Sequence, residues 1–171
     1  IVRPSAESAI PLAKTTSYVK GTAHGPNAIV SASTQVEFFD SELQNEPVEL
    51  GIATDWTLGD PGINGEEIQS ILDRIRHRTK ELLTQGKFVL ALGGEHTITV
   101  GLIDSYLERY RDNLTVVQID AHADLREEYE GNPYNHACAM RRLVDRVPLV
   151  TVGVRALEKA EVEFARAANV R

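Results

Sequence analysis

Short apolar runs alternate with longer segments whose apolar residues recur at helical spacing along most of this chain. Strands that alternate with helices pair in parallel, and the helices then cover both faces of the sheet. We therefore expect an α/β fold with three layers, α/β/α, around a mainly parallel sheet. The expected order is strand 46–53, loop 54–65, helix 66–84, strand 87–92, helix 97–110, strand 114–119, helix 136–144, strand 149–154 and helix 157–168.

The composition is that of a globular domain and argues against several functional classes. Of the 171 residues, 42% are hydrophobic and 25% are charged, and the formal net charge is −7. This acidic balance disfavours nucleic acid as a partner, and no apolar run has the length that a membrane span needs. We expect a single domain over 1–171 and a cytoplasmic location. The sequence holds one cysteine, Cys138, which we expect to be a packing residue, with a reactive thiol as the alternative.

The apolar run 114–119 leads directly into Asp120-Ala121-His122-Ala123-Asp124. Carboxylates and imidazole at the carboxyl end of a buried strand occupy the edge where open α/β sheets keep their sites. If the strand continued, Asp120 and Asp124 would lie about 13 Å apart, too far for ligands of a shared metal centre. We therefore expect the chain to leave the strand at Asp120 and to curl. The alternative is a structural role, with Asp120 as a helix cap, His122 at the surface and Asp124 in a solvated turn.

A second motif, Gly93-Gly94-Glu95-His96, follows the expected strand 87–92. The two glycines permit a tight turn or a close approach of the backbone, and they leave His96 just beyond a strand end. A right-handed β-α-β crossover makes the strands 87–92 and 114–119 parallel, with both carboxyl ends at one edge of the sheet. His96 and the Asp-His-Asp cluster should then lie at the same edge.

These motifs resemble those of the ureohydrolases, the dinuclear manganese family that includes arginase, agmatinase and formimidoylglutamase. Residues 21–29 (GTAHGPNAI) are similar to the family pattern GxxxGPxAI, 93–96 (GGEH) to GG(D/E)H, and 120–124 (DAHAD) to DAHxD. Residues 135–142 (NHACAMRR) look most like the agmatinase branch. The resemblance covers nearly the whole chain and implies an arginase-like fold.

The resemblance also implies a ligand set and an assembly. His96 and Asp124 would bind one metal ion, His122 the other, and Asp120 both, giving two Mn²⁺ per subunit. The family's later Asp-x-Asp carboxylates and a later glutamate that holds the guanidinium group would lie beyond Arg171. The chain would then be the N-terminal part of the domain, and we expect residues 1–171 alone not to sustain catalysis. Family members of this kind form homo-oligomers, trimers or hexamers.

The donor types themselves favour this chemistry. Carboxylate and imidazole ligands suit ions such as Mn²⁺, and the absence of cysteine ligands weakens a structural zinc site. Two such ions can activate a water as a nucleophile at neutral pH, for attack on a guanidinium carbon. The leaving amine then needs a proton, for which Asp124 and His136 are candidates. His136 could equally be a first-turn helix residue without a catalytic part.

We expect a small guanidino substrate, most simply agmatine, hydrolysed to putrescine and urea. The segment 126–130 (REEYE) is acidic and, if it borders the pocket, would favour a substrate tail with an ammonium group over one with a carboxylate. A solvated loop is the alternative, which leaves arginine, guanidinobutyrate and formimidoylglutamate open. Two alternatives come from other functional classes. One is a dinuclear metallophosphoesterase, and the other is a non-catalytic member or fragment that serves as an assembly or binding module.

Overall fold

The structure is a computed structural model that describes residues 5–168, 170 and 171. The chain divides into two compact units, one up to Glu95 and one from His96. All strand pairs in the described ranges are parallel, as expected for an α/β fold. The strands form two hydrogen-bonded sheets, one in each unit, instead of the expected single sheet. That one domain spans the whole chain stays a prediction.

The first unit is built on a three-stranded parallel sheet with the order β2-β1-β3. Its elements are β1 (Ser5–Ile10), α1 (Gly25–Ser33), β2 (Ile52–Asp55), α2 (Ile68–Thr84) and β3 (Phe88–Gly93). In the central strand, Ser5 lies opposite both Ile52 and Phe88. Strand β1 was not predicted from the sequence, because its small residues have a low propensity for strands. Its inner position is nevertheless well packed, since Ser8, Ala9 and Ile10 are all buried.

Helix α2 follows the predicted helix 66–84 closely. Its apolar face is buried, as the hydrophobic periodicity indicates, whereas the side chains of its three arginines are 25–37% exposed. The buried residues are Ile71, Leu72, Ile75, Thr79, Leu82 and Leu83. The helix ends before Gly86, which has φ +76° and therefore takes the left-handed conformation that favours glycine after a helix.

The predicted strand 46–53 is wrong for most of its length. Pro47–Leu50 form a 3₁₀ helix, in which the Glu49 N–H donates to the Glu46 carbonyl and the Gly51 N–H to the Val48 carbonyl. Proline lacks an N–H for a ladder, so Pro47 suits the first position of such a turn better than a strand. The strand begins only after Gly51, at Ile52.

The second glycine of the GGEH motif packs against backbone. A Cβ at Gly94 would lie 2.6 Å from the carbonyl oxygens of Ile10 and Leu12, and the residue has φ +47°. The glycine is therefore required by a close approach of two chain segments. Next to it, the buried carboxylate of Glu95 accepts the backbone N–H groups of Lys14 and Thr15.

The second unit contains a two-stranded parallel sheet, in which Val116 lies opposite Leu149. Its elements are α3 (Ile98–Tyr110), β4 (Val116–Ile119), β5 (Leu149–Val152) and α4 (Lys159–Ala167). Each falls inside its predicted range and is one to several residues shorter. Among the described helices, none is long and apolar enough to cross a membrane.

The predicted helix 136–144 is instead two short 3₁₀ helices, His136–Cys138 and Met140–Arg142. An α-helix would need the N–H groups of Met140 and Arg141 for bonds within the segment. Both donate instead to the carbonyl of Asp124, at 3.0 and 3.1 Å. The loop after β4 therefore takes the hydrogen bonds that an α-helix would require.

Candidate metal centre

The chain turns out of the strand direction at Asp120, directly after β4. The Asp120 N–H still donates to the Val152 carbonyl of β5, at 3.0 Å. Its side-chain Oδ1 then accepts the backbone N–H of His122 at 2.8 Å, which closes a turn of the kind that aspartate favours. The curl expected from the sequence is therefore present.

The curl brings two carboxylates and one imidazole together. Ligand atoms of His96, Asp120 and Asp124 all lie within 4.8 Å of one another. The Nδ1 atom of His96 is 2.5 Å from Asp124 Oδ2 and 3.8 Å from Asp120 Oδ2. Asp124 is only 7% exposed, so the alternative that it sits in a solvated turn is wrong. Asp120 precedes no helix directly, so it is not a helix cap either.

His122 stands apart from this group. Its side chain is 65% exposed, and its Nδ1 lies 3.3 Å from Asp120 Oδ1. The two oxygens of Asp120 therefore face different histidines, Oδ2 towards His96 and Oδ1 towards His122. This division of its oxygens would let the Asp120 carboxylate bridge two metal ions, with one oxygen on each. The structure thus brings together three of the four residues that the sequence predicts as ligands, His96, Asp120 and Asp124, and places the fourth, His122, beside Asp120. Their roles as metal ligands stay a prediction.

Backbone contacts fix the loop that carries these residues. The carbonyl of Ala121 accepts the N–H groups of Arg155 and Ala156 at 2.8 and 2.9 Å. The carbonyl of His122 accepts the side-chain amide of the buried Gln118 at 3.1 Å. These bonds tie the loop to the segment after β5 and to the end of β4, so its backbone is held in place by the protein itself.

Asp124 itself has a left-handed backbone, with φ +51°. Aspartate visits this region more readily than most residues, but the conformation still needs support from its surroundings. The next N–H, of Leu125, donates to the Glu161 carboxylate at 3.0 Å. Glu161 was not predicted from the sequence as part of the site, although the spacing of Glu158 and Glu161 is that of a capping box.

His136 opens the first 3₁₀ helix after the loop, where the side chain of Asn135 accepts the Ala137 N–H. Its ring meets the Tyr129 ring edge-on, with centroids 6.1 Å apart. The guanidinium of Arg126 lies over that tyrosine, 4.6 Å from the ring centroid. His136 is outside the group of converging ligand atoms. Its role in proton transfer stays a prediction.

The acidic segment 126–130 is only partly free to act on a substrate. Glu127 is paired with Arg141 at 2.5 Å and lies 3.4 Å from Arg142. Glu128 and Glu130 are exposed, and over the described residues neither has an ion pair. Any electrostatic selection by this segment therefore falls to Glu128 and Glu130.

Cys138 is fully buried, and this burial raises the pKa of its thiol. A thiol that resists ionisation is a poor nucleophile and a poor metal ligand. The structure therefore supports the expected packing role.

The donor set fits Mn²⁺. Asp120 and Asp124 place two carboxylates beside an imidazole, and no lysine or arginine of the described ranges pairs with either of them. Carboxylate oxygens and imidazole nitrogens are ligands that Mn²⁺ accepts, and a cation would relieve the repulsion between two adjacent carboxylates. His96, Asp120 and Asp124 could hold one ion, and Asp120 with His122 could contribute to a second.

Comparisons with known proteins agree on one family. An arginase family model matches residues 8–171. The N(1)-aminopropylagmatine ureohydrolase of Synechocystis sp. is 40% identical over 168 residues, which cover 94% of this chain and 54% of that protein. The agmatinase of Bacillus anthracis is 33% identical over 160 residues, covering 92% and 54%.

A solved structure shows the same fold. Agmatine ureohydrolase of Thermoplasma volcanium superposes with a TM-score of 0.82 at 29% identity, covering 95% of this chain and 54% of that one. The chain thus spans about half the length of the relatives that it matches. The expected arginase-like α/β fold is confirmed, and the chain belongs to the arginase family.

Proposed function

We propose that the protein is a manganese-dependent ureohydrolase that cleaves a guanidino compound with a cationic tail, with agmatine as the main substrate. One observation carries the proposal: His96, Asp120 and Asp124 converge within 4.8 Å in a chain of the arginase family. Bound Mn²⁺ would supply an activated water that attacks the guanidinium carbon, releasing urea and an amine.

The chain's own residues have separate tasks in this reaction. Asp124, buried and in contact with His96, fixes the position of that imidazole. Asp120 directs one oxygen to each histidine and so sets the spacing between two ion positions. We assign His136 the transfer of a proton to the leaving amine, because an imidazole can gain and lose a proton near neutral pH. The Tyr129 ring, supported by Arg126, holds the orientation of the His136 ring.

Substrate preference rests on charge. Glu128 and Glu130 are exposed carboxylates that follow the ligand loop, and they would attract an ammonium group and repel a carboxylate. Agmatine and N(1)-aminopropylagmatine both carry cationic tails, whereas arginine adds a carboxylate. The longer polyamine is the second candidate, because the Synechocystis relative at 40% identity is named for it.

The test is urea release by Mn²⁺-loaded protein from the whole reading frame that contains these residues. Agmatine, N(1)-aminopropylagmatine and arginine are compared at equal concentration. We expect both amines to be hydrolysed faster than arginine. A strong preference for arginine would contradict the substrate assignment, and absence of urea from all three would contradict the proposed activity.

Charge variants refine the test. Replacing Glu128 and Glu130 together with glutamine should narrow the gap between agmatine and arginine. Glu163→Gln on α4 is the matched control, because Glu163 is exposed and pairs with Lys159 of the same helix. An unchanged gap in the double variant would show that the tail is recognised elsewhere. A homo-oligomeric state and a cytoplasmic location stay predictions.

A further inference from the structure

The peptide group that joins Asp124 to Leu125 is held from both sides. Its carbonyl accepts the N–H groups of Met140 and Arg141, at 3.0 and 3.1 Å. Its N–H donates to Glu161 Oε1 at 3.0 Å. A peptide plane with both of its polar groups bonded cannot rotate freely, so the backbone of Asp124 is locked at this point.

The lock acts on a residue that would otherwise favour another conformation. Asp124 has φ +51°, a region in which a side chain crowds its own backbone. In this conformation its Oδ2 reaches 2.5 Å from His96 Nδ1. If the peptide were released, the backbone would relax to a common conformation and the carboxylate would turn away from His96.

Glu161 is well suited to provide one side of this lock. Its side chain is only 6% exposed, and its second oxygen, Oε2, accepts the Glu158 N–H at 2.8 Å. The Glu158 side chain in turn accepts the Glu161 N–H, which completes a capping box at the start of α4. The carboxylate therefore joins the start of α4 to the ligand loop through two backbone N–H groups, those of Glu158 and Leu125.

We propose that Glu161 is a positioning residue of the metal centre, which holds Asp124 in its ligand geometry through the Leu125 N–H. This inference rests on the proposed function, because the group that Asp124 would bind is Mn²⁺. Residues that orient a metal ligand affect metal affinity without contacting the ion. The competing explanation is that Glu161 only stabilises α4.

Two substitutions at Glu161 give a graded test. Glu161→Ala removes both acceptor atoms, and we expect Mn²⁺ affinity to fall about 10–100-fold. Glu161→Gln keeps one neutral acceptor oxygen for two N–H groups, so its loss should be smaller. Affinity is measured by titrating Mn²⁺ into the full-length metal-free protein and following free Mn²⁺ by electron paramagnetic resonance.

A separate readout uses no metal. The Leu125 amide proton, bonded to a carboxylate, should resonate downfield in the metal-free protein, and Glu161→Gln should move it upfield. This signal reports the bond itself and stays informative if Glu161→Ala folds poorly. An unmoved Leu125 resonance in Glu161→Gln would overturn the inference.

Two controls separate positioning from helix stability. Glu163→Gln makes the same change on the exposed side of α4 and should leave Mn²⁺ affinity unchanged. Glu158→Ala removes the other half of the capping box and the 2.8 Å ion pair between Glu158 and Arg126, but it leaves the Leu125–Glu161 bond. The melting temperature should therefore fall while Mn²⁺ affinity is kept. Equal loss of affinity in Glu158→Ala and Glu161→Ala would show that Glu161 acts only through the helix.

The two proposals fail in distinguishable ways. If the wild-type protein binds Mn²⁺ and the folded Glu161 variants bind it equally well, the positioning role is overturned alone. If the wild-type protein binds no Mn²⁺, the proposed function is overturned and the positioning role with it.

Discussion

Two carboxylates of the first unit, those of Asp55 and Glu95, are saturated by donors from the protein. Asp55, at the end of β2, accepts hydrogen bonds from Arg78 at 2.9 Å and from the Thr57 hydroxyl at 2.6 Å. Glu95 is 5% exposed and accepts the N–H groups of Lys14 and Thr15 together with the Thr15 hydroxyl at 2.7 Å. Such a carboxylate has little capacity left for a ligand, and its role is to join segments of chain.

The carboxylates at the ligand loop of the second unit differ in this respect. Asp120 and Asp124 face two histidines and each other, and within the described ranges no lysine or arginine neutralises them. Two neighbouring carboxylates without a fixed cation repel one another. Holding them close together therefore lowers the free energy of unfolding. Incomplete neutralisation, combined with convergence, therefore distinguishes this candidate site from the carboxylates that only join chain segments in the first unit.

Glu161 belongs to the second unit but resembles Glu95 of the first. Both are 5% exposed, and both use their oxygens to accept backbone N–H groups. They differ in the loop that they hold: Glu95 holds Lys14 and Thr15, whereas Glu161 holds the residue after Asp124. The same device thus stabilises the fold in one unit and supports the proposed site in the other.

The largest effect is expected for Asp120→Ala. Among the described residues, Asp120 is the carboxylate with one oxygen near His96 and the other near His122. Its loss should therefore remove Mn²⁺ binding at both ion positions. Metal content after gel filtration should fall from about two ions per chain to near zero in the full-length protein. Asp145→Ala, at an exposed position of the same unit, is the control and should keep both ions. Undiminished metal content in Asp120→Ala would refute the site.

A smaller effect is expected for His122→Ala. His122 is exposed and contacts only the Oδ1 side of Asp120, so its removal should weaken one position and leave the group of His96, Asp120 and Asp124 intact. The same metal analysis should find about one ion per chain. Loss of both ions would mean that the positions are not separable as the structure suggests.

The elements that the sequence predicted well are those whose pattern is set by burial of one face. Helices α2 and α3 begin within two residues of their predicted starts, because their apolar residues recur at helical spacing. The strand β1 was missed since Ser5–Ile10 is central in its sheet yet composed mostly of small residues. Its burial comes from neighbours distant in sequence, which a local pattern does not report.

The convergence of the candidate ligands His96, Asp120 and Asp124 was predictable from spacing, but the contacts that support them were not. The Asp-His-Asp motif and the GGEH histidine could be recognised because ligand types follow strand ends. The lock on Asp124 depends on N–H groups of Met140 and Arg141, in a segment that was predicted to be an α-helix. Local propensity favours an α-helix there. In the structure these N–H groups bond instead to the carbonyl of Asp124, which is distant from them in the sequence.

The buried carboxylate of Glu95 is held in part by the hydroxyl of Thr15. Thr15→Val removes the buried hydroxyl that donates to Glu95, with little change of shape. A hydrogen bond to a charged group contributes about 1.5–3 kcal/mol, so the free energy of unfolding should fall by about that amount. Urea denaturation measures the change, and Mn²⁺ content should stay at the wild-type value.

Thr16→Val provides the neighbouring control. The Thr16 hydroxyl donates to the Ala13 carbonyl and accepts from the exposed Lys20 ammonium, each at 3.3 Å. These bonds are long, and Thr16 does not contact Glu95 among the described hydrogen bonds, so the loss of its hydroxyl should cost less than that of Thr15. A loss of Mn²⁺ from Thr15→Val would break the distinction between the two kinds of carboxylate, because it would make a structural contact necessary for the metal site.

The smallest effect concerns the pH dependence of the Asp55–Arg78 pair. Burial raises the pKa of Asp55, but hydrogen bonds from Arg78 and Thr57 outweigh it and hold that pKa below its ordinary value. A carboxylate whose pKa is lower in the folded state stabilises the fold above its unfolded pKa of about 3.9, and this contribution is lost as the pH falls through the folded value. Asp55→Asn should therefore lower the free energy of unfolding by about 1 kcal/mol at pH 7. Below about pH 4 this difference from wild type should become progressively smaller.

Urea denaturation of both proteins between neutral and acidic pH tests this behaviour. The two stability curves should converge at low pH, because protonation gives wild-type Asp55 the same neutral charge as the asparagine. Asp73→Asn on α2 removes an exposed pair with Arg76, at 3.3 Å, and should leave the curve nearly unchanged. A constant difference between wild type and Asp55→Asn across this range would show that the pair acts through packing rather than charge. Asp55 would then no longer represent the neutralised carboxylates against which the ligand loop is compared.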